Sequence, residues 1–331
     1  MSTAVQSARF KPTVELIVLL ASALAAVVFA FTVDGFATLS NFENLARNSA
    51  PLLILSCAMG IVVIGRGLDL SQIAALTAVT SVFGVLLMSG QPATVALGAA
   101  ACAAILLGLF NGWLIAYAEI PSLLATLATA ILFTGIGRWG ILRGEYLLLL
   151  PKEQPLIAFL SGGRIAGIPV SIATALCVAA ITWFVLARTA YGRAVYAIGD
   201  NAATARLGGL PVRPVTLVVY VFVALAATIA GLLVASSSGT VDFRTVTNGT
   251  LLFEVIMVVV LGGISLRGGR GGLLSVVAGV ALISVMRNGM TLMDLSTQVQ
   301  SLVKGLVLIV AIVLDNHFNP RDPETDTVGD L

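Results

Sequence analysis

Charge is scarce in this chain. Among 331 residues there are 18 Lys and Arg and 16 Asp and Glu, which together make 10% of the sequence. A soluble globular chain carries about 25%, so water cannot be the solvent for most of this surface. Histidine is scarcer still. The single one, His317, lies in a polar tail, which excludes a His-based metal site or a Ser-His-Asp triad. Three cysteines, Cys57, Cys102 and Cys177, all lie inside apolar runs, and their spacing fits neither a metal motif nor a disulfide framework. No G-x-x-x-x-G-K-[ST] string occurs, so the chain has no phosphate cradle for ATP. No block of Lys or Arg points to nucleic acid, and a net charge of +2 says little about partners.

What the chain has is long apolar runs, and hydrophobic residues make up 58% of it. A bilayer core takes about 20 apolar residues per helix. The runs predict ten spans near 14–33, 50–65, 72–89, 93–118, 122–142, 169–187, 214–236, 251–266, 272–290 and 299–314. The runs are continuous rather than alternating, so helices are expected and a strand barrel is not. The expected class is an all-α membrane protein, a single membrane domain over 1–331. The first run is too long and too well followed to be a cleaved leader. The tail after Asp315 is polar and acidic and is expected to be disordered.

Orientation follows Lys and Arg in short loops. The segment 188–213 carries Arg188, Arg193, Arg206 and Arg213 against one acid, Asp200, and is expected on the cytoplasmic side. With ten spans both termini then fall on that side, with 1–13 as a cytoplasmic N-terminus, and 143–168 becomes an outer loop. Within 188–213, Asn201 is a good N-cap, Ala202 to Leu207 favour helix, and Gly208 and Gly209 end it. A short surface helix is expected between two spans.

Two strings look like nucleotide loops. LSGGR at 160–164 falls in the expected outer loop and reads as a chance match. The glycines at 262–263, 268–269 and 271–272 lie between spans, where tight turns and close packing account for them.

Polar groups in or beside spans are costly and mark sites that face a cavity or partner. Asp69, Ser71 and Gln72 lie between the second and third spans. Asn111 interrupts the fourth, and Thr126 and Thr129 share a face of the fifth. Glu254 opens the eighth, Asn288 ends the ninth, and Lys304 lies in the tenth. Each has a plainer reading: Asp69 as a helix cap, the threonines as helix-to-helix hydrogen bonds, Glu254 as an interface residue. Asn-Gly at 111–112 and 288–289 admits an inverted repeat of spans 2–5 and 7–10.

Five stretches then resemble one family in order. They are GRGLDLS (65–71), IPSLLATLATAILFTGIG (120–137), AYGRAVYAIGDNAATARLGGLPV (190–212), LFEVIMVVVLGGISLRGGRGG (252–272) and MRNGMTLMDLSTQVQSLVKGLVLIVAIVLD (286–315). Together they resemble the permease subunits of ribose/xylose/galactose-type ABC sugar importers over about residues 40–315. The resemblance implies a transport subunit, not an enzyme, in the bacterial cytoplasmic membrane. It carries no cofactor, since ATP and Mg belong to partner ABC ATPase subunits. A second permease subunit completes the pore and a periplasmic binding protein delivers a monosaccharide. The resemblance makes Asp200, Asn201, Ala203, Ala205, Arg206, Leu207, Gly208 and Gly209 the contact with the ATPase. Asp69, Ser71, Gln72, Asn111, Thr126, Thr129, Glu254 and Asn288 are the candidates for the translocation pathway. The family often has an acid where Ala203 stands, Ser at Gly208, and a different sequence after Ser71, where Gln72 adds a polar group. Relatives of this kind also take polyols, furanosyl signals, nucleosides or branched-chain amino acids. An ion-driven secondary transporter would need intramembrane charges, and only Glu254 and Lys304 are available. A membrane enzyme would need a catalytic cluster, which the sequence lacks.

Overall fold

The computed structural model describes residues 13–318. The elements run α1 (Val14–Thr32), α2 (Leu39–Ile64), α3 (Gln72–Met88), α4 (Ala93–Ala116) and α5 (Ser122–Gly135), the last continued by a π-helical turn over Ile136–Ile141. Then come β1 (Leu147–Leu149), α6 (Pro155–Gly162), β2 (Arg164–Ile165), β3 (Ile168–Pro169), α7 (Val170–Arg188), α8 (Ala190–Asp200) and α9 (Ala202–Leu207). The chain continues with α10 (Val212–Ser238), β4 (Thr240–Asp242), α11 (Arg244–Asn248), α12 (Thr250–Leu261), α13 (Leu273–Leu292) and α14 (Thr297–Phe318). Among the described residues, seven helices are long and apolar enough to cross a membrane: α1, α2, α4, α5 with its π turn, α7, α10 and α13. Three shorter apolar helices, α3, α12 and α14, accompany them.

These ten helices occupy the ten expected runs, with two real departures. α2 begins at Leu39 rather than near 50, because Thr38 caps it by accepting from Asn41 N at 3.3 Å, and because the helix tolerates Pro51. Proline lacks an N–H and frees carbonyls one turn back, which a spanning helix must satisfy by other means. The carbonyl that loses its donor is that of Arg47, and on the next residue the Arg287 guanidinium donates to the Asn48 carbonyl at 2.8 Å. At the other departure, α12 stops at Leu261 rather than near 266. Gly263 takes a left-handed backbone, φ 91°, which terminates the helix. Of the expected polar tail, Asn316 to Phe318 continue α14, and 319–331 and 1–12 lie outside the described residues.

The core centres on α10, which lies against α4, α2 and α3. Its contact with α4 is backbone-close. A Cβ on Gly112 would sit 2.8 Å from Leu217 Cα, and one on Gly108 would sit 2.5 Å from Val221 Cα. This G-x-x-x-G face lets two helices meet without side chains between them, which is how spanning helices gain packing in lipid. The buried half of α2 (Leu52 to Ile64) packs with α10 and α12 in the main apolar cluster. α1 packs on α13 and leaves most of its surface outward.

Hydrogen bonds assign the loops to two ends. At one end β1 pairs antiparallel with β4, Leu148 opposite Val241, so the 143–168 loop and the segment after α10 lie together. Glu43 joins them through ion pairs to Arg164 (2.6 Å) and Arg47 (2.9 Å). The LSGGR string is here, as the end of α6 and the start of β2. At the other end, Gly269 N donates to Ile64 O at 2.8 Å and Tyr196 Oη donates to Gly271 O at 2.7 Å. Gly199 packs so tightly on Ile64 O that no Cβ could be accommodated, and Ser275 Oγ donates to Glu15 at 3.0 Å. The start of α1 therefore shares an end with α8 and α9.

Candidate functional site

Three polar groups and one surface element come out of this fold. The first group forms around the non-helical segment between α2 and α3. Asp69 and Ser71 of this segment are buried and Leu68 and Leu70 are half-buried, and backbone N–H groups taken from water need partners. Leu68 N donates to Ser122 Oγ (3.2 Å), and Leu70 N donates to Thr126 Oγ1 (3.1 Å), which in turn donates to Ser122 O (2.7 Å). Asp69, 2% exposed, accepts from Ser71 N (2.8 Å) and Ser71 Oγ (2.6 Å), and Asn111 Nδ2 donates to Ser71 Oγ at 2.7 Å. Asp69 thus lies at the N-terminal end of α3, where helix N–H groups favour a negative charge. Thr129 Oγ1 donates to Thr126 O (3.2 Å). Gln72 turns the other way, its amide donating to Leu55 O of α2 at 2.9 Å.

The second group is a buried ion cluster near the start of α12. Lys304 Nζ of α14 reaches Glu254 Oε1 at 2.6 Å, and Arg287 of α13 reaches Glu254 Oε2 at 3.3 Å. The third is a reciprocal amide pair, Asn41 to Asn288 at 2.8 Å and Asn288 to Asn41 at 2.9 Å, which ties α2 to α13. The pathway candidates therefore do not form one site. Asp69, Ser71, Asn111, Thr126 and Thr129 cluster near the α9 end. Glu254 and Asn288 lie with Arg287 and Lys304 on helices that meet toward the opposite end.

The surface element is α8 with α9. Asn201 caps α9 by accepting from Thr204 N at 2.9 Å, and the helix ends at Gly208, with Gly209 left-handed at φ 82°. Ala203, Arg206 and Gly208 are exposed, Leu207 is 90% exposed, and Ala205 is turned into the bundle. Asp200 and Asn201 are exposed at the junction of the two helices. α8 itself was not anticipated. Its signal was present: Thr189 as cap, then Tyr191, Ala194, Val195 and Ile198 at helical spacing, all turned inward. Ser122, Tyr220, Asn41 and Arg287 were also unanticipated. None stands out along the chain, because their partners are far away in sequence. Beside α9, Arg213 holds the Glu119 carboxyl below the usual carboxylate range through a 2.9 Å hydrogen bond and its charge.

Residues 41–312 match the model of a family described as branched-chain amino acid transport system / permease component. The chain belongs to this permease family. It is therefore a transport component and a multi-pass protein of the bacterial inner membrane. Relatives of this permease include the probable ABC transporter permease protein YphD of Escherichia coli (strain K12), 32% identical over 304 residues, covering 90% of this chain and 88% of that protein. The ribose import permease protein RbsC of Haemophilus influenzae is 28% identical over 299 residues, covering 90% and 91%. The autoinducer 2 import system permease protein LsrC of Escherichia coli (strain K12 / DH10B) is 33% identical over 309 residues, covering 89% and 86%. No solved structure matches the permease.

Proposed function

We propose that this permease is the membrane-spanning subunit of an ATP-driven importer. In this reading it takes a monosaccharide of the pentose or hexose class from a periplasmic binding protein and passes it to the cytoplasm by alternating access. All ten apolar helices cross the bilayer, both termini and the α8–α9 end face the cytoplasm, and the two Asn-Gly pairs reflect an inverted repeat of spans 2–5 and 7–10. Partner ATPases bind ATP and Mg, and a second permease subunit completes the pore.

The observation that carries the reading is Leu207, a large apolar side chain 90% exposed at the end of a capped, rigid helix. A lone apolar residue on a small platform fits a groove on a partner. Arg206 and Asp200 supply polar contacts beside it. α9 connects to α8, which grips α2 through Gly199 and Ile64, and to α10, the central helix of the core. Movement of α9 is thereby passed to the whole bundle, as rigid-body switching requires. The names of the ribose and autoinducer 2 permeases support a sugar-like cargo.

The test is reconstitution in proteoliposomes with the ATPase and binding-protein subunits encoded beside it, and uptake measured over a panel of sugars. ATP-dependent accumulation of a pentose or hexose is expected. Uptake without the ATPase that collapses with an ion gradient would replace this reading with a secondary transporter. The family description names branched-chain amino acids, so they belong in the panel, with polyols, nucleosides and furanosyl signals.

A further inference from the structure

The turn between α12 and α13 is a second surface at the α9 end, and it closes on itself. Ser265 N donates to Arg270 O at 3.3 Å, Gly268 N donates to Ser265 O at 3.0 Å, and Arg267 N donates to Ser265 Oγ at 3.3 Å. Gly268 and Gly269 hold left-handed backbone, φ 83° and 70°, a conformation that a side chain opposes.

The closed turn is fastened to the α8–α9 platform. Gly269 N and Gly271 O bond to Ile64 O and to the Tyr196 hydroxyl, which ties it to α2 and α8. Gly268 lies against Gly199 and Arg66: a Cβ on it would come 2.6 Å from Gly199 O and 2.9 Å from Arg66 Cβ. A Cβ on Gly269 would lie 3.1 Å from Asp200 Cα. Asp200 ends α8 and Asn201 caps α9, so the turn touches the point from which α9 starts. Arg270 is one residue from the contact with Asp200, and Leu266 is two residues from the contact with Gly199. Those separations are at most about 4 Å and 7 Å along the chain.

Outward, the turn offers an apolar side chain among arginines. Leu266 is 54% exposed, and Arg66, Arg267 and Arg270 are exposed around it. Among the described residues, no ion pair is found to Arg66 or Arg270. α9 shows the same pairing of an exposed leucine with an arginine, in Arg206 and Leu207.

We propose that the 265–271 turn docks on the partner ATPase beside α9, with Leu266 in an apolar pocket and Arg66 and Arg270 against carboxylates of the ATPase. Like charges on one face call for the opposite sign on the other. The turn joins α12 to α13, whereas α9 joins α8 to α10. One rigid partner on both surfaces therefore moves two parts of the bundle together. The choice of the ATPase as partner rests on the docking role of α9 proposed above, and the experiment reads the two surfaces separately.

The full chain is placed in phosphatidylcholine nanodiscs with Cys102 and Cys177 replaced by Ala, Cys57 being buried. Leu266→Cys, Leu207→Cys and, at the opposite end, Ile165→Cys are each labelled with a maleimide, with and without the purified ATPase subunit encoded beside the permease. The ATPase is expected to slow labelling at 266 and at 207 at least tenfold and to leave 165 unchanged. Protection of 207 without 266 overturns this proposal and leaves docking at α9 standing. Protection of 266 alone keeps the turn as the docking site and overturns the role of α9, and protection of neither overturns both. Labelling at 266 at least tenfold slower than at 207 before any ATPase is added would place Leu266 in lipid and also overturn the proposal. Arg270→Glu is expected to raise the ATPase concentration that half-protects residue 266 at least tenfold with the thermal midpoint unchanged, and an unchanged concentration counts against the charged contact.

Discussion

Lys304 of α14 donates a 2.6 Å hydrogen bond to Glu254 of α12, and each side chain is only 6% exposed. Removing one member of a buried pair leaves a charge without its partner and costs about 3–5 kcal/mol. Lys304→Met is therefore expected to lower the thermal midpoint of the detergent-purified chain sharply. Replacing both, Lys304→Met with Glu254→Gln, is expected to recover much of that loss. A double variant no more stable than the single would show that the pair does not hold α14 in place.

The Asn41–Asn288 amide pair makes a narrower prediction. Asn288→Ala leaves the Asn41 side chain without one donor and one acceptor partner. About 1–3 kcal/mol is the usual cost of such an orphan. Replacing both by Ala should cost less than the sum of the single changes, as denaturation in a double-mutant cycle will read.

Close packing of α4 on α10 predicts opposite outcomes for two glycines of one helix. Gly112→Ala drives a methyl against the Leu217 backbone and is expected to destabilise by about 1–3 kcal/mol. Gly98→Ala meets nothing within 4 Å and should be neutral or stabilising by about 0.5–1 kcal/mol. Equal effects would remove the case for backbone contact between α4 and α10.

For the surface platform, Leu207→Glu and Arg206→Glu are expected to leave the chain's stability unchanged and to abolish stimulation of the partner ATPase by the binding protein. Both side chains are exposed, so a folding defect is not expected. Normal sugar uptake by either variant would count against docking at α9.

The Glu119–Arg213 bridge carries a pH dependence of known sign. Arg213 lowers the Glu119 pKa, so any stability the bridge supplies is present above the ordinary carboxylate value and disappears as pH falls through the lowered one. The two side chains are 61% and 48% exposed, which keeps the effect small. Glu119→Gln should match the parent chain once the pH lies below the lowered value and fall slightly below it at neutral pH in thermal melts.

The positions of the apolar helices were legible because lipid demands long unbroken runs, and no competing pattern has that length. The short helix over Ala202 to Leu207 was legible from Asn201 and Gly208, local signals that act within one turn. α2 was misplaced at its start because its first three turns hold Asn41, Glu43 and Arg47, whose polar groups are satisfied by Asn288 and Arg164 from distant parts of the chain. α12 was drawn too long because Leu266 and Ile264 look apolar enough, and only the fold turns the chain at Gly263. Of the candidate residues, Asp69, Ser71 and Asn111 share a hydrogen-bonded cluster. The part of Ser122, which accepts from Leu68 N in the same segment, could not be read, since Ser carries no positional signal in a spanning helix.

Pro51 gives α2 a soft joint, and the Arg287 guanidinium that steadies the nearby Asn48 carbonyl is the same one that touches Glu254. One side chain thereby ties the proline-containing turn of α2 to the ion cluster of α12. Removing the Arg287 side chain would take support from the turns of α2 before Pro51, while Leu52 to Ile64 stay packed in the main apolar cluster.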